Sequence, residues 1–236
     1  MTVKLIAFDL DNTLAELNRP ASRQTVDALL DFESRGIIIA ILSGKPTSYL
    51  CGFVRQMGLA DAIISGENGV MIQYGAKFPP SKFFLNIELD KQSLRAIQTF
   101  EQEIRKTFGQ DVWIQPNIVN FTSFPVHKDV AEALFDFFEG YVEKHKLEFP
   151  HFQIYKHVDA IELVPNNVDK GLALKQIMHL ENLHRDHVVA VGDSASDVPM
   201  LKEVEHSFGI GVKPVKYSVD SIDDAIEKIQ SLIVSS

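Results

Sequence analysis

Two carboxylates stand where a chain built only to fold would not put them. Asp9 and Asp11 come directly after the apolar run Leu5-Ile6-Ala7-Phe8, with Leu10 between them and Asn12-Thr13 after. The run has β-branched and aromatic members and reads as a buried strand. In an open parallel sheet, ligands bind outside the carboxyl ends of the strands, so Asp9 and Asp11 sit at a place suited to chemistry. At this spacing one can attack while the other handles a proton, and both are close enough to share a cation. Taken alone, the stretch reads equally well as an acidic turn in which Asp11 or Asn12 caps the next segment. Its meaning depends on whether other strands supply partners.

They do. Residues 37–42 form a second continuous apolar run, which ends in Ser43-Gly44-Lys45-Pro46. Residues 188–191 form another, and it ends in Gly192-Asp193-Ser194-Ala195-Ser196-Asp197. Lys170 opens a helical stretch. Singly, each has a plain structural reading: Ser43 as a helix cap, Lys170 as a solvated lysine, Asp193 and Asp197 as a capping pair. A parallel sheet, however, brings all these strand ends to one edge, where three acids repel one another unless a cation lies between them. Three oxygen donors with room for waters are what Mg²⁺ takes.

The elements that would position these residues alternate in type. A helical stretch at 23–35 with Gly36 as its C-cap separates the first two runs. A helix near 47–57 leads to a short strand at 62–64, the loop Ser65-Gly66-Glu67-Asn68-Gly69, and a run at 70–74 suited to a hairpin. Strand, helix and doubly buried strand in succession predict an α/β fold, a Rossmann-like parallel sheet with helices on both faces. The character changes near Phe78-Pro79-Pro80-Ser81. An amphipathic helix at 90–108, strands at 112–115 and 119–124 about the turn Pro116-Asn117, a helix at 128–145 and strands at 152–156 and 160–164 form an α-β-β-α-β-β series. This is an α+β module inserted into the α/β pattern, which resumes from Asp169. The expected division is a core at 1–81 and 161–236 and an inserted cap at 82–160.

Composition bounds the function. The 236 residues are 45% apolar and 23% charged, ordinary for a globular protein with a substantial core. A formal charge of −9 argues against a protein that binds nucleic-acid backbones, which needs surplus Lys and Arg, and against an acidic membrane surface. A phosphate ester remains compatible with this charge if a metal and a few cations are focused in a cleft. The single cysteine, Cys51, lies among Leu50, Phe53 and Val54 and reads as a packed thiol; no internal disulfide can form, and a reducing compartment is expected. The chain enters its first strand without a charged-then-apolar leader and has no apolar run of membrane-spanning length, so the expectation is a cytosolic protein.

Asp9-Leu10-Asp11-Asn12-Thr13, Ser43 after an apolar strand, Lys170, and Gly192-Asp193 with Asp197 resemble, in order, the four motifs of the haloacid dehalogenase superfamily. The cap between the second and third motifs is similar to that of the Cof-like sugar-phosphate phosphatases, as are Ser65 to Val70 and Ile161 to Gly171. The compact α-β-β-α-β-β cap resembles that of archaeal-type phosphoglycolate phosphatases. At three positions the chain departs from common family usage: Lys45 stands where Arg is frequent, Asn12 where Gly is frequent, and Ser196 where Asn is usual.

The resemblance implies a Mg²⁺-dependent phosphatase. Asp9 is implied as the nucleophile that becomes an aspartyl phosphate, and Asp11 as the acid that protonates the leaving alkoxide and then the base that activates water. Asp9, the backbone carbonyl of Asp11, and Asp193 are implied as metal ligands. Asp197 is implied in the metal shell, through water, with orientation of Lys170 as the alternative role. Ser43, Lys170 and backbone amides near Leu10 and Gly44 are implied to hold the phosphoryl oxygens. The implied partner is a small phosphorylated metabolite such as a sugar phosphate or phosphoglycolate, read by a closing cap, with Asn68, Asn117 and His157 as candidate contacts. A phosphomutase shares every one of these residues. A receiver-type signalling domain also uses an acidic cluster, a hydroxyl and a lysine, but lacks the second Asp at this spacing and the inserted cap.

Overall fold

The computed structural model describes residues 2–87, 89–157 and 159–234. In chain order the elements begin with β1 (Leu5–Phe8), α1 (Arg23–Ser34), β2 (Ile38–Leu42), α2 (Thr47–Met57), β3 (Ile63–Gly66), β4 (Met71–Tyr74) and β5 (Lys82–Leu85). Next come α3 (Lys91–Phe108), β6 (Val112–Ile114), β7 (Phe121–Pro125), α4 (Lys128–Lys144), β8 (Phe152–Lys156) and β9 (Ile161–Pro165). The chain finishes with α5 (Lys170–Leu180), β10 (Val188–Gly192), α6 (Val198–Glu203), β11 (His206–Ile210), β12 (Tyr217–Val219) and α7 (Ile222–Val234). They form two compact units: Met1–Asn86 with Asp169–Ser236, and Ile87–Val168.

The first unit is built on an eight-stranded sheet of order β12-β11-β10-β1-β2-β3-β4-β5. It is parallel from β12 to β3, and β4 and β5 extend it antiparallel. Its strands read as continuous apolar runs because helices cover both faces. On one face Ile6, Phe8, Ile39 and Ile41 meet Leu29 and Phe32 of α1, Leu50 and Val54 of α2, and Ile226 of α7. The alternate residues Leu5, Ala7, Ala40 and Leu42 meet Leu174 and Ile177 of α5 and Met200 of α6 on the other face. β1 lies between β10 and β2, with Phe8 opposite both Val191 and Ile41. That register carries Asp9 level with Gly192 and Leu42, so Ser43 and Asp193 each lie one residue farther out at the same edge.

The second unit is a four-stranded antiparallel sheet of order β6-β7-β9-β8. Phe100 and Ile104 of α3 and Leu134 and Phe138 of α4 pack on one face of it, against Val112, Phe121, Ile161 and Leu163. Phe100 is the centre of this small core, its ring 5.2 Å from that of Phe121 and 4.7 Å from that of Phe138. Asp90 caps α3 by accepting the Ser93 N–H at 2.7 Å, which fixes where that helix begins.

The boundaries of the inserted unit differ from the expected 82–160 at both ends, for one reason. β5 pairs antiparallel with β4, Tyr74 opposite Lys82 and Ile72 opposite Phe84, and so belongs to the first unit's sheet. β9 pairs with both β7 and β8 and belongs to the second. Alternating apolar residues mark a strand but not its neighbour, and the neighbour decides the unit. The sequence pattern does not announce β12 either; at three residues it is too short to show a period. Among the described residues no helix is long and apolar enough to cross a membrane.

Candidate active site

The chain extends the parallel ladder one residue past β1, with the Asp9 N–H donating to the Val191 carbonyl at 3.0 Å. It then turns sharply: the amides of Thr13, Leu14 and Ala15 all converge on the Leu10 carbonyl. Asn12 takes a left-handed backbone conformation in this turn, φ 59°. Glycine and asparagine are the residues that adopt it most readily, which accounts for the exchange of one for the other at this position. The turn buries Thr13 and aims its hydroxyl at Asp193, Oγ1 to Oδ1 2.7 Å.

Lys170 is not a solvated lysine. Asp169 caps α5 by accepting the Leu172 N–H at 2.8 Å, and Lys170, the first helical residue, is 3% exposed. Its ammonium donates to Asp9 Oδ1 and to Asp197 Oδ1, each at 2.5 Å. Asp197 is fully buried and committed on both oxygens. While Oδ1 holds Lys170, Oδ2 accepts from the backbone amides of Asp193 (3.0 Å) and Ser194 (2.9 Å) and from the Ser194 hydroxyl (2.8 Å). This close approach needs Gly192, since a Cβ there would lie 2.5 Å from the Asp197 Cβ. Ser196 shares a hydrogen bond with the Ser194 hydroxyl, at 2.8 Å on the exposed side.

Oxygens of Asp9, Asp193 and Asp197 lie within 4.8 Å of one another. Burial pushes the Asp9 carboxyl up to about 7; Lys170 draws it down, and repulsion from Asp197 cancels part of that help. Burial also raises Asp193, against the hydroxyl of Thr13. Burial acts in the same direction on Asp197, yet Lys170 and the Ser194 donors win and hold it below the ordinary carboxylate range. Burial works against the charge of Lys170, but its two acidic partners overcome it and raise it. Two carboxyl groups are therefore short of positive charge where one lysine already serves. An all-oxygen donor set with surplus negative charge suits a small hard divalent cation, and the residues present fit one.

Ser43 is buried at the end of β2, its amide donating to the Ser65 carbonyl at 3.0 Å and its hydroxyl accepting the Lys45 N–H at 3.2 Å. The loop after β3 clasps this segment: the Asn68 amide donates to the Ser43 carbonyl (2.9 Å) and that of Glu67 to the Lys45 carbonyl (3.0 Å). The Asn68 side chain lies against Gly44, where a Cβ would come within 3.3 Å of its Nδ2. Asp11 stands apart from the three clustered acids and pairs with Lys45, Oδ2 to Nζ 3.2 Å.

The structure thus brings Asp9, Lys170, Asp193 and Asp197 into one bonded group, and places Ser43, Gly44 and Asn68 in a second at the same sheet edge. Sequence reasoning did not single out Thr13 or Ser194 as partners of the acids, nor Lys45 as the partner of Asp11. A hydroxyl two residues past Asp11 was the available signal for the first. Nothing in a linear sequence announces the other two.

The sequence profile of the haloacid dehalogenase-like hydrolases matches residues 6–114 and 118–217. The phosphoglycolate phosphatase of Staphylothermus marinus is 27% identical over 222 residues, spanning 86% of this chain and 83% of that protein. A glucosyl-3-phosphoglycerate/mannosyl-3-phosphoglycerate phosphatase of Persephonella marina is 24% identical, spanning 85% and 82%. In fold, a haloacid dehalogenase-like hydrolase from Bacteroides thetaiotaomicron superposes with a TM-score of 0.78 at 18% identity, covering 97% of this chain and all of that one. With a match over most of its length, and the acid cluster assembled at the strand ends, this chain belongs to the haloacid dehalogenase-like hydrolase family and is a phosphatase.

Proposed function

We propose that the protein hydrolyses a small phosphate monoester, a sugar phosphate or a phosphoglycolate-like ester, through an aspartyl-phosphate intermediate and with Mg²⁺. The observation that carries this reading is the buried Lys170 bridging Asp9 and Asp197, beside a third acid, Asp193. A lysine held this way fixes one carboxylate oxygen of Asp9 and leaves the other to attack.

In the first step the Asp9 oxygen bonds phosphorus as the ester P–O bond breaks, and Asp11 gives its proton to the departing alkoxide. In the second, Asp11 takes a proton from water, whose oxygen bonds phosphorus and frees Asp9. The ion pair with Lys45 keeps the Asp11 side chain in place between the two steps. Ser43, Lys170 and the amides near Leu10 and Gly44 hold the phosphoryl oxygens. Asp9, Asp193 and the Asp11 carbonyl would hold the cation, which when bound offsets the charge between carboxylate and phosphate dianion. Asp197, with both oxygens engaged, serves as the positioning residue for Lys170. The partner is a small phosphorylated metabolite in the cytosol, with no nucleic acid or membrane involved.

Phosphate release from a panel of phosphorylated metabolites tests the reading. The intact protein should release phosphate with Mg²⁺ and lose activity in chelator, and Asp9→Asn should abolish turnover while keeping the fold. Substantial turnover by purified Asp9→Asn, or full activity in excess EDTA, would rule out the route.

A further inference from the structure

Three consecutive residues of the first unit, Glu67, Asn68 and Gly69, hold left-handed backbone, with φ of 53°, 58° and 112°. Asparagine and glycine enter that region readily and glutamate does not, so the turn between β3 and β4 is kept in a costly shape by what surrounds it. Its first half grips the segment after β2. The Asn68 and Glu67 amides donate to the Ser43 and Lys45 carbonyls, and a Cβ on Gly66 would lie 2.6 Å from Thr47 Oγ1 and 2.7 Å from the Thr47 nitrogen. Its last residue rests on the start of α5. A Cβ on Gly69 would lie 2.8 Å from the Asp169 carbonyl oxygen and 2.9 Å from the Ala173 Cβ. Lys170 belongs to that same first turn of α5. Asn86 then braces the far end: its Nδ2 donates to the Gly69 carbonyl at 2.7 Å and its amide to the Val70 carbonyl at 2.9 Å. All of these residues belong to the first unit.

We propose that this turn is the spacer that sets Ser43 and Gly44 against Lys170, and that Asn68 is a positioning residue acting through its backbone, not a contact to substrate. Ser43 and Gly44 come from the end of β2 and Lys170 from the start of α5, two segments far apart in the chain. In the reaction both must hold oxygens of one phosphoryl group, and such a grip weakens steeply when its parts are misplaced. The turn touches both segments with no room for a methyl group at either end, so a change in its shape moves one against the other. Its bonds to the Ser43 segment are main-chain bonds, and they hold only while residues 67 and 68 stay left-handed. The Asn68 side chain lies against Gly44 and adds packing to that contact. This inference deepens the phosphatase reading and rests on it.

The test compares Asn68→Gly, which keeps the left-handed backbone and the amide donor, with Asn68→Val, whose branched side chain does not tolerate that region. Hydrolysis of p-nitrophenyl phosphate and of the best ester from the metabolite panel would be measured on the full chain with Mg²⁺. Inhibition by orthovanadate, whose five-coordinate form mimics the phosphoryl group in transit, would be measured beside it. Asn68→Gly should stay within about threefold of the wild type, while Asn68→Val should lose about tenfold to a hundredfold in kcat/KM on both esters alike. The vanadate Ki should rise by the same factor, and the Mg²⁺ concentration for half-maximal activity should not move. Asn86→Ala, at an exposed position, removes one brace without threatening the fold. It should lose about twofold to tenfold with the same proportional rise in Ki, and it decides the matter if Asn68→Val does not fold. A turn with a merely structural role would lower the active fraction and leave the vanadate Ki in place, which overturns the proposal. A loss in Asn68→Gly as large as in Asn68→Val overturns it too, as the mark of a side-chain contact to substrate. A wild-type protein that releases phosphate from no ester removes the phosphatase reading and this inference with it. Wild-type turnover with vanadate inhibition that no variant moves removes this inference alone.

Discussion

Asp193 and Asp197 lie four residues apart at the end of one strand, yet neutralising them should have opposite effects on stability. The carboxylate of Asp197 accepts four hydrogen bonds with two oxygens, from Lys170, from the amides of Asp193 and Ser194, and from the Ser194 hydroxyl. An amide has one oxygen. In Asp197→Asn, either that oxygen stays with the Ser194 donors and the NH₂ confronts the Lys170 ammonium, or the group flips and the NH₂ confronts two amide N–H groups. Neither rotamer satisfies the site. A buried donor left unmet costs about 1–3 kcal/mol, and removing one partner of a buried ion pair costs about 3–5 kcal/mol. Lys170 retains Asp9, so the expected loss lies at about 3–4 kcal/mol, or a fall of about 2 M in the urea midpoint at a slope near 2 kcal/mol per molar. The direction of the titration agrees: Asp197 is held below its ordinary range, so its charged form stabilises the fold above the unfolded value and that contribution is lost as pH falls. Asp193 is raised, so its charge works against the fold. Asp193→Asn should be neutral or stabilising when no cation is bound. The assay is urea unfolding of both variants in EDTA, followed by circular dichroism at neutral pH. Losses of the same sign and size in the two variants would refute the assignment of Asp197 to positioning and Asp193 to cation binding.

Asp11→Asn should lower turnover of poor leaving groups by about two to four orders of magnitude. The loss should be much smaller on p-nitrophenyl phosphate, whose departing oxygen needs no proton, and equal losses on both would remove Asp11 from the acid role. In the second unit, the hydrogen bond that the His157 imidazole donates to the Glu162 carboxylate raises its pKa. Its stabilising contribution is therefore full below the unfolded value and lost as pH rises through the folded one. Unfolding midpoints of wild type and His157→Gln should converge from about pH 6 to pH 8; a gap independent of pH would mean the pair carries no net charge interaction.

Much of this protein was legible in the residues alone. Apolar runs as continuous as Ile38–Leu42 and Val188–Gly192, short and rich in β-branched residues, read as strands buried on both faces, and the polar residues at their ends predict a shared edge. The amphipathic helices α3 and α4 were readable for the same reason, since period and burial are local properties of sequence. Pairings between distant segments were not local. That β5 joins the first sheet and β9 the second depended on which strand lay alongside, and the hydrophobic pattern of a strand is the same whichever neighbour it takes. The site divides in the same way. Residue types and spacing brought Asp9, Asp11, Ser43, Lys170, Asp193 and Asp197 forward as candidates, because two acids after a strand are costly without a purpose. Their bonds came from packing alone. Lys170 reaches Asp9 across 161 positions and Thr13 reaches Asp193 across 180. A glycine at 192 lets Asp197 close on its own strand end and engages both of its oxygens. Sequence determines which groups are present at the edge of the sheet; only the tertiary structure decides which of them are already bonded to one another and which remain to bind a ligand, because that depends on distances between segments that the chain itself does not encode locally.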